Sequence, residues 1–483
     1  MNIRLIVKNL GYVLIIEAAS MLPSLFVSLL NRQDDFSSFL ITILLLLVLG
    51  TAASRINVGY ENLYTRDAFA LVALSWLLMS AFGALPFFLS GAIPRFIDAF
   101  FECVSGFTTT GSTILNDIEN LPKGLLFWRS FTHWIGGMGV LVLTLAVMPS
   151  TKAGSLHIMQ AESPGPLPGK LVPKIGQTAK ILYAIYLAMT LVLLLLLHIA
   201  GLPIYDAFIH AFGTAGTGGF SNMNESVGAY HNLAVEIIIT VFMLMFGVNL
   251  SLYYQAIKGN PKAFLHNEEF LFYMGTVVIS TVLIMCNTVG TVYQNFGEAL
   301  RHASFQVSSI ITTTGYATAD FNLWPTFSKV ILIILMFVGA CAGSTGGAMK
   351  CIRILLLFRI AKREVVKIIH PRSIYSVKIG GKVVDEETQI GVLTYFFFYL
   401  VAIACSTLVV TLEGKDLVTS VTAVISAIGN VGPGLGLVGP MGNFSSFSLL
   451  SKIVLSLDMI VGRLEILPVL LIFSPSSWRR ANI

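Results

Sequence analysis

Charge is what this 483-residue chain has least of: 11% of its residues are Asp, Glu, Lys or Arg, against about 25% in a soluble globular protein. So little charge excludes a cytosolic enzyme, a secreted disulfide scaffold and a disordered regulator. Cysteine is scarce as well. Cys103, Cys286, Cys341, Cys351 and Cys405 form no CxxC pair and stand mostly in apolar surroundings, so they read as small buried hydrophobes rather than metal ligands or disulfide partners. The eight histidines are scattered, with no ligand or proton-relay spacing. No paired acid and base, nucleophile motif or phosphate-binding GxxxxGK[ST] string occurs. An enzyme and a covalently bound cofactor are therefore not expected. The net charge of +5 is not gathered into a basic face interleaved with aromatics, so a nucleic-acid partner is not expected either.

Apolar residues are what the chain has in excess, at 55%, with a mean hydropathy of +0.81. The expected class is an all-α polytopic membrane protein embedded in a lipid bilayer. Stretches near the required length of about 20 apolar residues begin near residues 8, 36, 68, 126, 179, 233, 268, 326, 391 and 450. The N-terminal stretch has basic residues and then an apolar run without a clean cleavage site, so it reads as a retained first span. Between several spans lie shorter apolar stretches ending in Gly/Thr-rich strings, which read as re-entrant segments. If each returns to the outer face, Lys and Arg fall in large excess on the side of the N-terminus. This places the N-terminus in the cytoplasm.

Four strings repeat at intervals of about 100 residues. They are DAFFECVSGFTTTGST (98–113), DAFIHAFGTAGTGGF (206–220), HASFQVSSIITTTGYAT (302–318) and TSVTAVISAIGNVGPG (419–434), with Gly111, Gly218, Gly315 and Gly432 as their matching glycines. Each fits one plan of span, pore helix, filter loop, span. Four such pseudo-repeats around one pore, plus two extra N-terminal spans, divide the chain into 1–60, 61–152, 153–262, 263–368 and 369–483.

The strings offer backbone carbonyls and hydroxyls and nothing more reactive. Oxygen ligands of this kind suit alkali cations, and four loops can stack them into rings that replace a hydration shell. Helix C-termini aimed at the same axis add partial negative charge. Thr313-Thr314-Gly315-Tyr316 closely resembles the TVGYG filter of potassium channels. The expected potassium-binding residues are Thr109, Thr110 and Gly111, then Ala215, Gly216, Thr217 and Gly218, then Thr313, Thr314 and Gly315, and finally Asn430, Val431 and Gly432. Non-helical backbone at membrane depth is tolerated only where it is buried or lines a wet cavity, which is the setting a pore supplies.

Three further features stand out. The span from 326 is interrupted by Gly339-Ala340-Cys341-Ala342-Gly343-Ser344-Thr345-Gly346-Gly347-Ala348. Each interior glycine costs a helix about 1 kcal/mol. The run reads either as a GxxxG packing face or, preferred here, as an unwound loop lining a cavity. Arg463 lies in a span, where a central arginine costs about 2.5–3.5 kcal/mol on insertion scales. Neither Asp458 nor Glu465 is spaced to pair with it on the same helix. It reads as a packing ion pair with a distant carboxylate or as a gate element set against the 339–348 loop. Arg129 reads as a brace of the outer mouth or as an interface anchor. Asp98, Glu102 and Asp206 read as helix N-caps, and Asn249 as a polar residue within an apolar span, bonded either to the pore helices or to another span. The basic loops at 151–180 and 361–390 read as topogenic charge or as contacts with lipid headgroups or a partner.

These motifs also carry a family resemblance. FTTTGST (107–113), GTGGF (216–220), TTTGYAT (312–318), GNVGPGLG (429–436), WRSFTHWIGGMG (128–139), GACAGSTGG (339–347) and GRLE (462–465) make the sequence similar, over essentially its whole length, to the Trk/Ktr/HKT superfamily of potassium transporters. The closer likeness is to the TrkH/TrkG type with its extra N-terminal pair of spans. The resemblance implies potassium ion as substrate, a homodimer with one pore per protomer, and a TrkA-type cytoplasmic nucleotide-binding ring that gates it. It implies that the loop with Gly343, Ser344, Thr345, Gly346 and Gly347 obstructs the inner pore. In HKT relatives a serine at the first filter glycine goes with sodium transport, so the four glycines here resemble the potassium-selective pattern. The second and fourth loops are looser matches. A sodium-permeable or proton- or sodium-coupled symport mode of the same superfamily is the alternative.

Overall fold

Polar caps and prolines start the helices of this chain, and glycines or left-handed residues end several of them. Asn232 accepts from the Ala234 amide, Asn267 from Phe270, Asp385 from Thr388 and Asp416 from Thr419, each satisfying an amide that a first helical turn leaves orphaned. Pro122, Pro203 and Pro325 precede three other helices. The computed structural model describes residues 2–58, 64–139, 175–372 and 375–464. In chain order its helices are α1 (Ile3–Leu30), α2 (Phe36–Ser54), α3 (Thr65–Gly83), α4 (Leu85–Leu89), α5 (Phe96–Phe107), α6 (Lys123–Gly137), α7 (Ile175–Ile199), α8 (Ile204–Ala215), α9 (Leu233–Phe246), α10 (Leu250–Ile257), α11 (Ala263–His266), α12 (Glu268–Thr288), α13 (Phe296–Ile311), α14 (Thr326–Val338), α15 (Cys351–Ile369), α16 (Glu386–Thr411), α17 (Leu417–Gly429) and α18 (Leu449–Leu464). A two-residue hairpin, β1 (Lys378–Ile379) and β2 (Lys382–Val383), turns through Gly380 and Gly381, both at positive φ, as a tight hairpin turn requires.

Each of the ten expected span starts falls within a helix. Among the described residues six helices are long and apolar enough to cross a membrane: α1, α2, Arg66–Leu89, Gln177–Ile199, α12 and α16. Large apolar side chains such as Leu44, Val48, Leu195, Ile279 and Leu408 face outward, while Thr109, Thr313 and Asn430 are buried. That distribution inverts the pattern of a soluble protein and suits a lipid surround.

One expectation is corrected here. The span beginning near 233 is not continuous: α9 and α10 meet at a 92° bend. Gly247 ends α9, and Asn249, instead of standing inside a span, caps α10 by accepting from the Ser251 amide at 2.9 Å. The break expected after 338 is also present, since no helix runs between Val338 and Cys351.

The short helices α5, α8, α13 and α17 each pack between two neighbours, one before and one after in the chain. The helix that follows each short helix also packs on the next short one: α6 on α8, α9 on α13, α14 on α17. α18 then returns to α5 and closes the order. The α1–α2 hairpin lies beside α3 and α6. Its own helices come close at Gly11 and Gly50, where an added Cβ would meet the facing backbone at 2.7 and 2.9 Å.

Candidate functional site

All four short helices end in the same motif. The amide of Thr110 donates to the Ser105 carbonyl, that of Gly218 to Gly213, that of Thr314 to Ser309 and that of Val431 to Ser426. This six-to-one bond, with a left-handed residue just before it, is the Schellman termination of a helix. The left-handed residues are Thr109 (φ 56°), Thr217 (φ 53°), Thr313 (φ 57°) and Asn430 (φ 52°). Glycine or asparagine usually takes that place, and a β-branched threonine there is a strained exception. Two residues further on, the backbone turns left-handed again, at Gly111 (φ 82°), Gly219 (φ 78°), Gly315 (φ 80°) and Gly432 (φ 102°).

These glycines meet neighbouring loops in a closed order. A Cβ on Gly111 would run into the Gly218 carbonyl oxygen, one on Gly219 into that of Thr314, one on Gly315 into that of Val431, and one on Gly432 into that of Thr110. Each loop therefore presses a carbonyl against the glycine of the loop before it, and the fourth receives that of the first. Glycine is required twice over, by its φ and by this approach. Above the loops lies a cavity of about 130 Å³ lined by the same four glycines and by Arg129.

The geometry corrects one register. In the second loop Gly219, not Gly218, shares the conformation and the contact of Gly111, Gly315 and Gly432, while Gly218 takes the place of Thr110, Thr314 and Val431. Ala215 is the last residue of α8 and Gly216 its cap, so both belong to the helix end. Near-equal spacing cannot choose between adjacent glycines. A Thr or Asn two residues ahead of the glycine, the signal common to the other three loops, selects Gly219.

Buried side chains brace the ring from behind. Glu102 lies in the middle of α5 rather than at its cap. It accepts from the Thr113 hydroxyl and the Ile114 amide, both at 2.9 Å, and from Arg129 Nε at 2.6 Å. Arg129 donates to the Ser221 carbonyl at 3.0 Å and covers the Phe220 ring at 3.5 Å. One ion pair thus ties the first loop to the second. Asp98 pairs with Lys452 at 2.7 Å, and Asp206 accepts from Asn222 at 2.9 Å. His133, which the sequence did not single out, sits between α5 and the second loop. Its Nε2 accepts from the Phe220 amide at 3.2 Å, so Nδ1 carries the proton and donates to the Gly106 carbonyl at 2.7 Å. Tyr316 donates to the Phe220 carbonyl at 3.3 Å.

The non-helical run after α14 lies directly against the ends of the loops nearest their helices. The Gly347 amide donates to Thr313 Oγ1 at 2.7 Å. A Cβ on Gly346 would meet the Thr312 carbonyl oxygen at 2.9 Å. Thr345 Oγ1 donates to the Phe246 carbonyl at 3.3 Å, and Ser344 Oγ to that of Cys341 at 2.6 Å. The Gly343 carbonyl accepts from the Leu250 amide at 3.1 Å, and Cys341 donates to the Gly247 carbonyl at 3.0 Å. The two broken helices thereby satisfy each other's freed backbone groups, which lipid cannot do. Arg463 reaches this run from α18. It donates to the Thr345 carbonyl at 2.7 Å, to Thr109 Oγ1 at 3.2 Å, and to the Gly136 and Gly137 carbonyls at 2.6 and 2.8 Å. Its charge is thus spread over backbone carbonyls. Glu465 and the lysines at 152, 170 and 174 lie outside the described residues.

The TrkH family model, described as a cation transport protein, matches residues 34–480. The chain is 36% identical over 486 residues to the Trk system potassium uptake protein TrkH of Salmonella typhimurium, with 99% of this chain and 100% of the relative covered. It is 34% identical to the Trk system potassium uptake protein TrkG of Escherichia coli, with 99% of each covered. The crystal structure of the potassium transporter TrkH from Vibrio parahaemolyticus is similar over 99% of this chain and 100% of that one, at 33% identity and a TM-score of 0.90.

Proposed function

The chain belongs to the TrkH family of cation transport proteins, and from that premise we propose that it takes up potassium across the cytoplasmic membrane through the ring of four loops. The proposal counts the loops as four pseudo-repeats about one pore, with α1 and α2 as the extra pair of spans. The observation that carries it is the closed order of contacts, in which each loop glycine is capped by the next loop's carbonyl. Alternating left- and right-handed residues aim successive carbonyl oxygens to one side of a strand, so the carbonyls of Thr109, Thr217, Thr313 and Asn430 and of their successors form stacked oxygen rings. Such rings replace the hydration shell of a dehydrated cation. Four helix C-termini converge there and add partial negative charge. Inward flow follows the membrane potential, worth about 2.3 kcal/mol per charge per 100 mV.

The gate in this reading is the run Gly343–Gly347 with Arg463, seated at the inner end of the ring. Its backbone fills the path, and the guanidinium opposes a second cation. A homodimer, a cytoplasmic N-terminus and a TrkA-type nucleotide-binding ring belong to the same proposal. They rest on the family resemblance and on exposed basic residues such as Lys362 and Lys367 beyond the gate.

The test is flux into proteoliposomes under one imposed potential, comparing potassium, rubidium, sodium and lithium. Potassium and rubidium pass far better than sodium in the unaltered chain, and Gly111→Ser or Gly219→Ser erases the difference. Equal sodium and potassium flux in the unaltered chain, or serine variants with unchanged selectivity, defeats this filter and brings forward the sodium-permeable or coupled mode.

A further inference from the structure

Glu269 is the second residue of α12, is buried, and has no part in the ring or in the contacts of Arg463. One of its oxygens, Oε1, accepts from the Ala342 amide at 2.6 Å and from the Ile352 amide at 3.2 Å. Those two amides stand at the two roots of the non-helical run. Ala342 lies where the chain has just left α14, and Ile352 is the second residue of α15. Ile352 is a first-turn amide with no partner inside its own helix, and a carboxylate at a helix N-terminus also meets the positive end of the dipole. Ala342 belongs to a stretch with no helical partner to offer.

The surroundings separate the roots of the run from its tip. Cys341, Gly343 and Thr345 bond to the break between α9 and α10, whereas Gly346 and Gly347 at the tip lean on the ring. The ammonium of the neighbouring Lys350 is directed to the Gly346 carbonyl, so Glu269 is not held there as that lysine's contact partner. What the geometry uses is one oxygen at the right reach.

We propose that Glu269 is the latch of the gate: a positioning residue whose single oxygen ties the two roots of the 339–350 run together and holds its tip against the ring. It acts by accepting hydrogen bonds rather than by its charge. The inference rests on the gate reading above, but its test has a readout of its own.

Cys341 is buried at the root of the run, whereas Cys286 and Cys405 are exposed. With Cys103, Cys286, Cys351 and Cys405 replaced by serine in the full chain, Cys341 reports release of the run through its rate of modification by a small methanethiosulfonate. Glu269→Ala is expected to raise that rate at least tenfold and to raise potassium flux several-fold. The conservative pair decides the mechanism even if the alanine variant folds poorly. Glu269→Gln keeps the oxygen at the same reach without the charge and leaves labelling within about twofold of the parent. Glu269→Asp keeps the charge, withdraws the oxygen by one methylene and labels fast. Unchanged labelling in Glu269→Asp, or fast labelling in Glu269→Gln, overturns the latch. Fast labelling in Glu269→Asp with unchanged flux upholds the latch and overturns the gate reading.

Discussion

At the scale of single residues, three threonines hold a backbone conformation that their branched side chains disfavour. Thr109 and Thr313 have a use for it, since their hydroxyls accept from Arg463 and from the Gly347 amide. Thr217 Oγ1 donates only to the adjacent Gly216 carbonyl among the bonds described. Thr217→Gly is therefore expected to stabilise the protein by about 1 kcal/mol, the lower end of the cost of such strain, seen as a rise in the unfolding midpoint in detergent. Thr313→Gly, which also loses the bond from Gly347, gives no such gain. The Glu102–Arg129 pair argues in the opposite direction. Breaking one partner of a buried pair costs about 3–5 kcal/mol because the other charge is left uncompensated. Glu102→Ala should lower the unfolding midpoint and the potassium-over-sodium flux ratio together, because the same carboxylate holds Thr113 and Ile114 at the exit of the first loop.

At the scale of elements, the decisive features are two helices that stop at membrane depth. Neither α9–α10 nor α14–α15 pays for its break alone: each supplies donors or acceptors for the other across Cys341–Gly247 and Leu250–Gly343. The 339–350 run is seated so closely that its glycines leave no room for a Cβ. One on Gly347 would come within 2.5 Å of the Gly429 carbonyl oxygen. Gly347→Ala is expected to lift the tip from the ring and raise resting potassium flux several-fold. Arg463→Ala should do likewise, since it removes the donor to Thr345 and Thr109. Flux equal to that of the unaltered chain in both variants would leave the run without a gating role. Glycine density made the break after Val338 legible. The bend at 247–249 was not, because a single Gly and a single Asn within an apolar stretch are tolerated in many membrane helices. It took the neighbouring run, packed against them, to make the break favourable.

At the scale of the whole molecule, the first and fourth loops become neighbours although about 320 residues separate them. Ser112 Oγ donates to the Gly432 carbonyl at 3.1 Å, and Asn430 Nδ2 to Thr110 Oγ1 at 2.9 Å. Gly111→Ala and Gly432→Ala disturb one continuous ring, so their effects on the potassium-over-sodium ratio should be strongly non-additive. An additive pair would mean that the loops act independently. Composition and hydropathy, which act residue by residue, determined from the sequence alone that the chain is helical and lies in a membrane. The repeated Gly/Thr/Asn strings marked where the short helices end, and oxygen-only chemistry pointed to a cation. Only the tertiary structure decided that Gly219 and not its neighbour joins the ring, that Glu102 and His133 brace it, and that Arg463 meets carbonyls of the 339–350 run and of the end of α6 together with the Thr109 hydroxyl. These are meetings between residues far apart in the chain. The free energy that selects them is that of satisfying buried polar groups where neither water nor lipid can, and a linear pattern does not carry that term.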